Sequence, residues 1–258
     1  MKQPSKFADK KTVPERVAAA KATMVKVIDH FLYLLELHES NAIIVYSPTL
    51  SDQIPTSHAA NAFNVFQRGL HHLEIIRLCA LWDTPELEKE CIPTVVELID
   101  NAEVISALAE EMRSYWASSY TPMLNPSDAP ELQRIEHQEL QRCNEQFGDE
   151  EALCIHDELV TAIRAARDIM SSDKLKALRN LRDKNLAHSL SITRAENAGP
   201  VAPVKYGHER DILNETCGIV EKLYCRVNGT SFSIADSREI DRENAHALWD
   251  GCRFEALR

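Results

Sequence analysis

Arg182 and His188 are the residues of this chain whose types and spacing could do chemistry. They stand in the run Arg179-Asn180-Leu181-Arg182-Asp183-Lys184-Asn185-Leu186-Ala187-His188-Ser189, an arginine followed by an acid and, after five intervening residues, a histidine. An imidazole titrates near neutrality and can move a proton, while a guanidinium holds phosphate oxygens in a bidentate fork. Together they can act on a phosphodiester without a metal.

Helical projection limits what the pair can do alone. At about 100° per residue, Leu175, Leu178, Leu181 and Leu186 span an apolar arc of roughly 140° with Arg182 inside it. The guanidinium is thus aimed at something other than bulk water. His188 falls about 120° from Arg182 and roughly 9 Å further along the axis, too far for direct contact within one straight helix. Cooperation requires either a helix end that redirects the His188 ring or a second copy of the helix supplied by a dimer.

The elements that must position the pair read as helix after helix. Residues 13–38 open with Thr12 as N-cap, Pro14 in the first turn and Glu15 after it, then carry Val17, Met24, Val27, Ile28, Phe31, Leu34 and Leu35 on a helical period. The β-branched run at 42–46, cut by Ser47-Pro48, reads as irregular or as a short extension. Ser57 caps a second long helix that runs to about residue 83 and is stopped by Thr84-Pro85. Shorter helices at 92–100 and 103–117 lead into a loop at 118–130 broken by Pro122, Asn125-Pro126 and Asp128. Helices at 130–146 and 149–171, split by Gly148, precede the motif helix at 173–188, capped by Ser172 or Asp173. A linker at 191–206, marked by Gly199-Pro200 and Pro203, leads to helices at 208–227 and 241–254. Between those two, Asn228-Gly229 and a polar stretch could hold a small strand at 231–234. The expected fold is all-α, with long antiparallel helices and extra C-terminal helices. Residues 1–12 are expected to be flexible, 13–227 to form one helical domain, and 228–258 to be an extension packing on it.

Composition bounds the function classes. A chain of 258 residues buries a core without cross-links, and only 7 glycines disfavour a glycine-rich all-β fold. The net charge of -11 excludes a generally basic, nucleic-acid-coating surface, so any such contact needs a local cationic patch against the overall field. Seven scattered cysteines with no C-x-x-C pair fit reduced thiols and a cytoplasmic protein. Nowhere do about twenty apolar residues run together, so no membrane span is expected.

The motif resembles that of the HEPN superfamily (higher eukaryote and prokaryote nucleotide-binding domains). These all-α proteins carry an Arg, four to six intervening residues and a His, with a polar residue directly after the Arg. Arg182, Asp183 and His188 take those places. With the helix Phe66-Gln67-Arg68-Gly69-Leu70-His71-His72-Leu73-Glu74-Ile75-Ile76-Arg77-Leu78 and the following Leu81-Trp82-Asp83, the chain is most similar to the abortive-infection U-type branch over about residues 13–227. The resemblance implies a HEPN-type bundle and a metal-independent, cofactor-free endoribonuclease of phage defence or a toxin. A ribose 2′-OH would attack the adjacent phosphate, with His188 as general acid/base and Arg182 stabilising the phosphate. Asp183 would orient Arg182 or a partner's histidine, and Asn185, one turn before His188, would position His188 or the phosphate. Two motifs commonly meet in one composite cleft in this family, which implies a homodimer. RNA is the implied substrate, and an antitoxin or regulatory protein is a candidate partner. Lys174, Lys176, Arg179 and Lys184, which make the motif helix distinctly cationic, are the expected RNA-binding rim. HEPN toxins paired with a nucleotidyltransferase antitoxin carry a Tyr two positions after the His; Leu190 stands there instead, so control through that tyrosine is not expected.

Plainer readings stand beside this one. Arg182 could pair with a carboxylate of another helix, such as Glu74 or Asp157, and His188 could be a favourable cation at a helix C-terminus. The chain would then be a non-catalytic HEPN binding or scaffold module, or an unrelated helical ligand-binding or regulatory domain. His71-His72 with Glu74 and Asp83 lack the i, i+4 spacing of a metal pair, and no metal site is expected. His30 and His38 read as surface or interface residues, Cys79 as a core thiol, and the acidic run at 86–90 as a solvated loop or helix edge. Tyr115-Trp116 and Tyr120 read as packing rather than base stacking.

Overall fold

The computed structural model describes residues 7–119 and 129–255, and every regular element among them is helical. Helix α1 (Val13–Ile44) runs through the centre of the bundle. Thr12 and Glu15 form a reciprocal capping box at its start, with Pro14 in the first turn. Its stripe of Ala20, Met24, Val27, Phe31, Leu34 and Leu35 has no solvent exposure, each position three, four or one residue from the last on a helical period. The helix runs on to Ile44 instead of ending near residue 38. Ile43 and Ile44 bury against Leu50 and Ala245, and that tertiary burial overrides the β preference of the 42–46 run.

Around α1 pack α2 (His58–Leu81), α3 (Ile92–Ile99), α4 (Ala102–Ser118), α8 (His208–Asn228) and α9 (Ile234–Trp249). Ser57 caps α2 by accepting the Ala60 N–H at 3.3 Å. The polar groups that α1 turns inward find partners. Arg16, buried, donates from Nε to the Leu98 carbonyl (2.7 Å) and from Nη2 to that of Glu97 (3.0 Å), covering the last turn of α3. Arg238 of α9 bonds Glu39, another buried group of α1.

Helix α5 (Pro130–Ser171) is one continuous element, not two helices split by Gly148. It lies antiparallel to α4, with Arg113 bonded to Asp149 (2.6 Å) and Asn144 to the Ser119 carbonyl (2.8 Å). A Cβ on Gly148 would sit 2.9 Å from the Arg113 carbonyl oxygen and 3.5 Å from Trp116 Cβ. The glycine marks the closest approach of two helices, which outweighs its poor helix propensity.

Three further expectations are corrected. The small strand at 231–234 is absent, because Ser233 caps α9 through the Asp236 N–H and the Glu221 carboxylate takes the Ile234 N–H at 2.8 Å. Helix α9 accordingly spans Ile234–Trp249 rather than 241–254. The 191–206 linker contains a short helix, α7 (Arg194–Ala198), started by a Thr193/Glu196 capping box. Near the N-terminus, Phe7–Lys10 form a 3-10 turn with Ala8 buried in the core. Tyr120, Pro122, Asn125, Pro126 and Asp128 lie outside the described residues. None of the described helices is long and apolar enough to cross a membrane.

Gly148→Ala tests the close approach. Alanine adds about 1 kcal/mol of helix propensity, but its Cβ meets unyielding backbone, and overpacking of that kind costs about 1–3 kcal/mol. Urea unfolding is expected to show a net loss of stability. A stabilised variant would show that the α4 and α5 backbones can move apart freely.

Candidate functional site

The motif helix α6 (Asp173–Leu181) is capped by Ser172, whose Oγ accepts the Leu175 N–H at 3.2 Å, and it buries Leu175, Ala177 and Leu178. The element does not continue as an α-helix to residue 188. Arg182–Leu186 form a π-helical turn in which the Ala187 N–H reaches the Arg182 carbonyl at 2.8 Å. The Leu190 N–H then donates to the Lys184 carbonyl at 3.0 Å, folding the next loop back over the turn. The regular helical projection therefore ends at Leu181, because the wider turn rotates the residues beyond it. His188 lies in the folded-back loop, exposed, with no side-chain hydrogen bond or ion pair among the described residues.

Arg182 is held differently. Its side chain is 19% exposed, and both Nε and Nη2 lie 2.8 Å from Oδ1 of Asp183. Burial opposes the charge on Arg182, but the bond to Asp183 more than offsets this and keeps the guanidinium firmly protonated. Neither expected interhelical carboxylate is its partner. Glu74 is bonded by His38, Asn41 and Tyr46, and Asp157 is exposed beside His156.

A second guanidinium stands beside the first. Arg179 is half-buried, its Nε shielded from solvent without a hydrogen-bond partner, and burial pushes its pKa down. Cys79 of α2 and Asp83, just past its end, feel the charge of Arg182. Burial opposes ionisation of Asp83, yet the Thr84 N–H, Lys89 and Arg182 together hold its carboxyl below the ordinary range. Cys79 shows the opposite balance: burial pushes its thiol up to about 12 despite the two arginines, so it is a core thiol and no nucleophile.

The remaining residues singled out by sequence divide by their partners. Lys174 donates to Asp211 at 2.7 Å, and Lys184 to both oxygens of Glu196 at 2.8 and 3.1 Å. Lys176 is exposed and reaches the Pro200 carbonyl at 3.4 Å. Asn185 is exposed. One chain thus brings Arg182, Asp183 and Arg179 together and leaves Asn185 and His188 in solvent beyond the turn. Glu196 is a neighbour of the motif that the sequence reading leaves in a linker. Lys184, the Thr193 N–H and Asn180 hold its carboxyl down at about 2. The spacing Thr193-x-x-Glu196 is a capping-box signal lying in a stretch that otherwise reads as linker.

His38 is also corrected: it is buried, with Nδ1 2.7 Å from Glu74 Oε1. It follows Phe31 and Leu34 at i+7 and i+4, on the stripe that faces the core. His30 is solvent-accessible and contacts Glu90 at 2.8 Å. Trp116 packs edge-on against Phe147 at 4.8 Å, while Tyr115 is exposed. No cluster of His, Cys, Asp and Glu suited to a metal ion occurs among the described residues.

Thiol labelling tests this burial pattern. Cys143 and Cys154, both exposed, are expected to react with a maleimide at neutral pH, while Cys79 and Cys91 react only on unfolding. Fast labelling of Cys79 in the folded chain would contradict the packing of α2 against the motif.

The family model HEPN_AbiU2, described as AbiU2, matches residues 20–248 of the chain. No curated protein and no solved structure matches it.

Proposed function

We propose that this chain, which belongs to the abortive-infection HEPN AbiU2 family, is a metal-independent endoribonuclease acting in phage defence or as a toxin. The observation that carries the reading is the π-turn. It releases His188 into solvent while Arg182 stays half-buried and oriented by Asp183. π-turns of this kind occur often at functional sites.

In the proposed reaction His188 takes the proton of a ribose 2′-OH as that oxygen attacks the adjacent phosphorus. The 5′-oxygen leaves with a proton from an imidazolium, and a 2′,3′-cyclic phosphate remains. Arg182, with Nε and Nη2 turned to Asp183, offers its Nη1 side to the non-bridging oxygens as charge develops on them. A homodimer would place two His188 rings at one cleft, one as base and one as acid. Asn185 would position the histidine or the phosphate. Lys176 would attract RNA directly, and Lys174 and Lys184 would do so by exchanging Asp211 and Glu196 for phosphate. Arg179 would raise the local potential from behind Arg182. An antitoxin or regulatory protein would act by covering this face.

A second reading, a non-catalytic HEPN scaffold, draws on the same contacts, since Arg182, Lys174 and Lys184 already hold carboxylates. RNA cleavage in the presence of EDTA separates the two. Arg182→Ala and His188→Ala are each expected to lower cleavage by about 10²–10⁴-fold, with circular dichroism and oligomeric state unchanged. Asp183→Asn should fall between them and the parent. Equal cleavage by parent and both alanine variants sinks the ribonuclease reading. No cleavage by the parent, with altered self-association in Arg182→Ala, favours the scaffold.

A further inference from the structure

A cationic surface without carboxylate partners lies away from the motif helix, where the loop before α8 meets α2. Tyr206 is 78% exposed. Its ring stands edge-on to Tyr46 at 6.0 Å; Tyr46 in turn meets His71 edge-on at 5.9 Å, and His71 neighbours His72 at 6.4 Å. One side of the tyrosine is therefore braced and the other open. The loop is built rather than slack. Gly207, buried, adopts the left-handed conformation (φ +92°) that lets α8 start at once, and the Lys205 N–H donates to His208 Nδ1 at 3.4 Å.

Cations flank the loop and the α2 end of this aromatic chain: Lys205 precedes Tyr206, Arg210 Nη2 lies close to Gly207, and Arg68 stands one turn before His72. Arg68 of α2, Lys205 and Arg210 are exposed, and none has a carboxylate within ion-pair distance among the described residues. The neighbouring acids are already engaged. Glu209 is buried with His71 3.7 Å away, Glu74 is buried in its network with α1, and Asp211 is bonded to Lys174. In a chain of net charge -11 these are exposed cations free of ion pairs among the described residues, near an exposed aromatic. Arg68, His72 and Cys79 fall within an arc of about 40° on α2, and the first two lie roughly 10–17 Å along the axis from Cys79. Cys79 and Asp83 are the residues that feel Arg182. The patch and the motif thus lie along one face of the same helix.

We infer that Tyr206, with Arg68, Lys205 and Arg210, is a second contact for single-stranded RNA, stacking a base on the tyrosine and holding flanking phosphates with the cations. Stacking on a single aromatic tolerates any base, so the contact supplies affinity and direction rather than sequence choice. The inference rests on RNA being the substrate of the motif.

The test uses the full chain carrying His188→Ala, which prevents cleavage, and a fluorescent single-stranded oligouridylate read by anisotropy at fixed salt. Adding Tyr206→Ala is expected to weaken binding about tenfold, with Tyr206→Phe close to the parent. Arg68→Glu and Arg210→Glu should each weaken binding and flatten its salt dependence by about one phosphate contact. In the otherwise native chain, Tyr206→Ala should raise KM and leave kcat nearly unchanged. Unchanged affinity and KM in Tyr206→Ala overturn the second contact alone, provided Arg182→Ala still abolishes cleavage. A parent that neither binds nor cuts RNA overturns both readings. Double-stranded DNA bound as tightly, with no effect of Tyr206, would make the patch a general polyanion surface and overturn the stacking assignment.

Discussion

The carboxylate of Glu74, almost without solvent access, is shared by His38, Asn41 and Tyr46. A buried carboxylate is tolerable only when hydrogen bonds replace its hydration, and removing one partner of such a pair typically costs about 3–5 kcal/mol. These directional bonds tie α2 to α1 at one fixed rotation, since each donor must face the same carboxylate. With α2 held in that setting, Trp82 at its end reaches Thr216 of α8 through Nε1 at 3.0 Å. Cys79 and Asp83 are carried against the motif. A polar bond in the core thus governs where the arginines of the motif find their surroundings.

The motif itself shows how an acidic protein handles cations. Lys174 and Lys184 are matched by Asp211 and Glu196, and Arg182 by its neighbour Asp183. Such matched pairs order the helix and its flanking strap more than they create a long-range field. Lys176 of the motif helix, and Arg68, Lys205 and Arg210 in the stretch around Tyr206, have no carboxylate within ion-pair distance among the described residues. In the proposed reading the two surfaces divide the work, one orienting a phosphate and the other offering a stacking face.

Much of the bundle was legible in sequence because its signals are local. Thr12, Ser57 and Ser172 each cap the next helix from a position recognisable within four residues, and the apolar stripe of α1 keeps to the helical period. Cys79 sits among apolar neighbours and is a core thiol. Gly148 was not legible as a helix interior, since its function depends on the Arg113 carbonyl of another helix. For His38 the position on the α1 stripe is a local signal of burial, and only its partner Glu74, 36 positions away in the chain, lies beyond local reading.

The candidate site divides along the same line. The order Arg182, Asp183, His188 and the all-α class were determined by sequence alone, because residue identity and helical periodicity are properties of short segments. The poor fit of the pair to one straight helix was also legible there. Only the tertiary structure decided how that misfit is met within one chain. The helix passes into a π-turn where α2 and the Glu196 strap pack against it, Arg182 turns to its own neighbour, and His188 is left in solvent. Backbone hydrogen-bond spacing responds to such long-range packing, and periodicity carries no record of it.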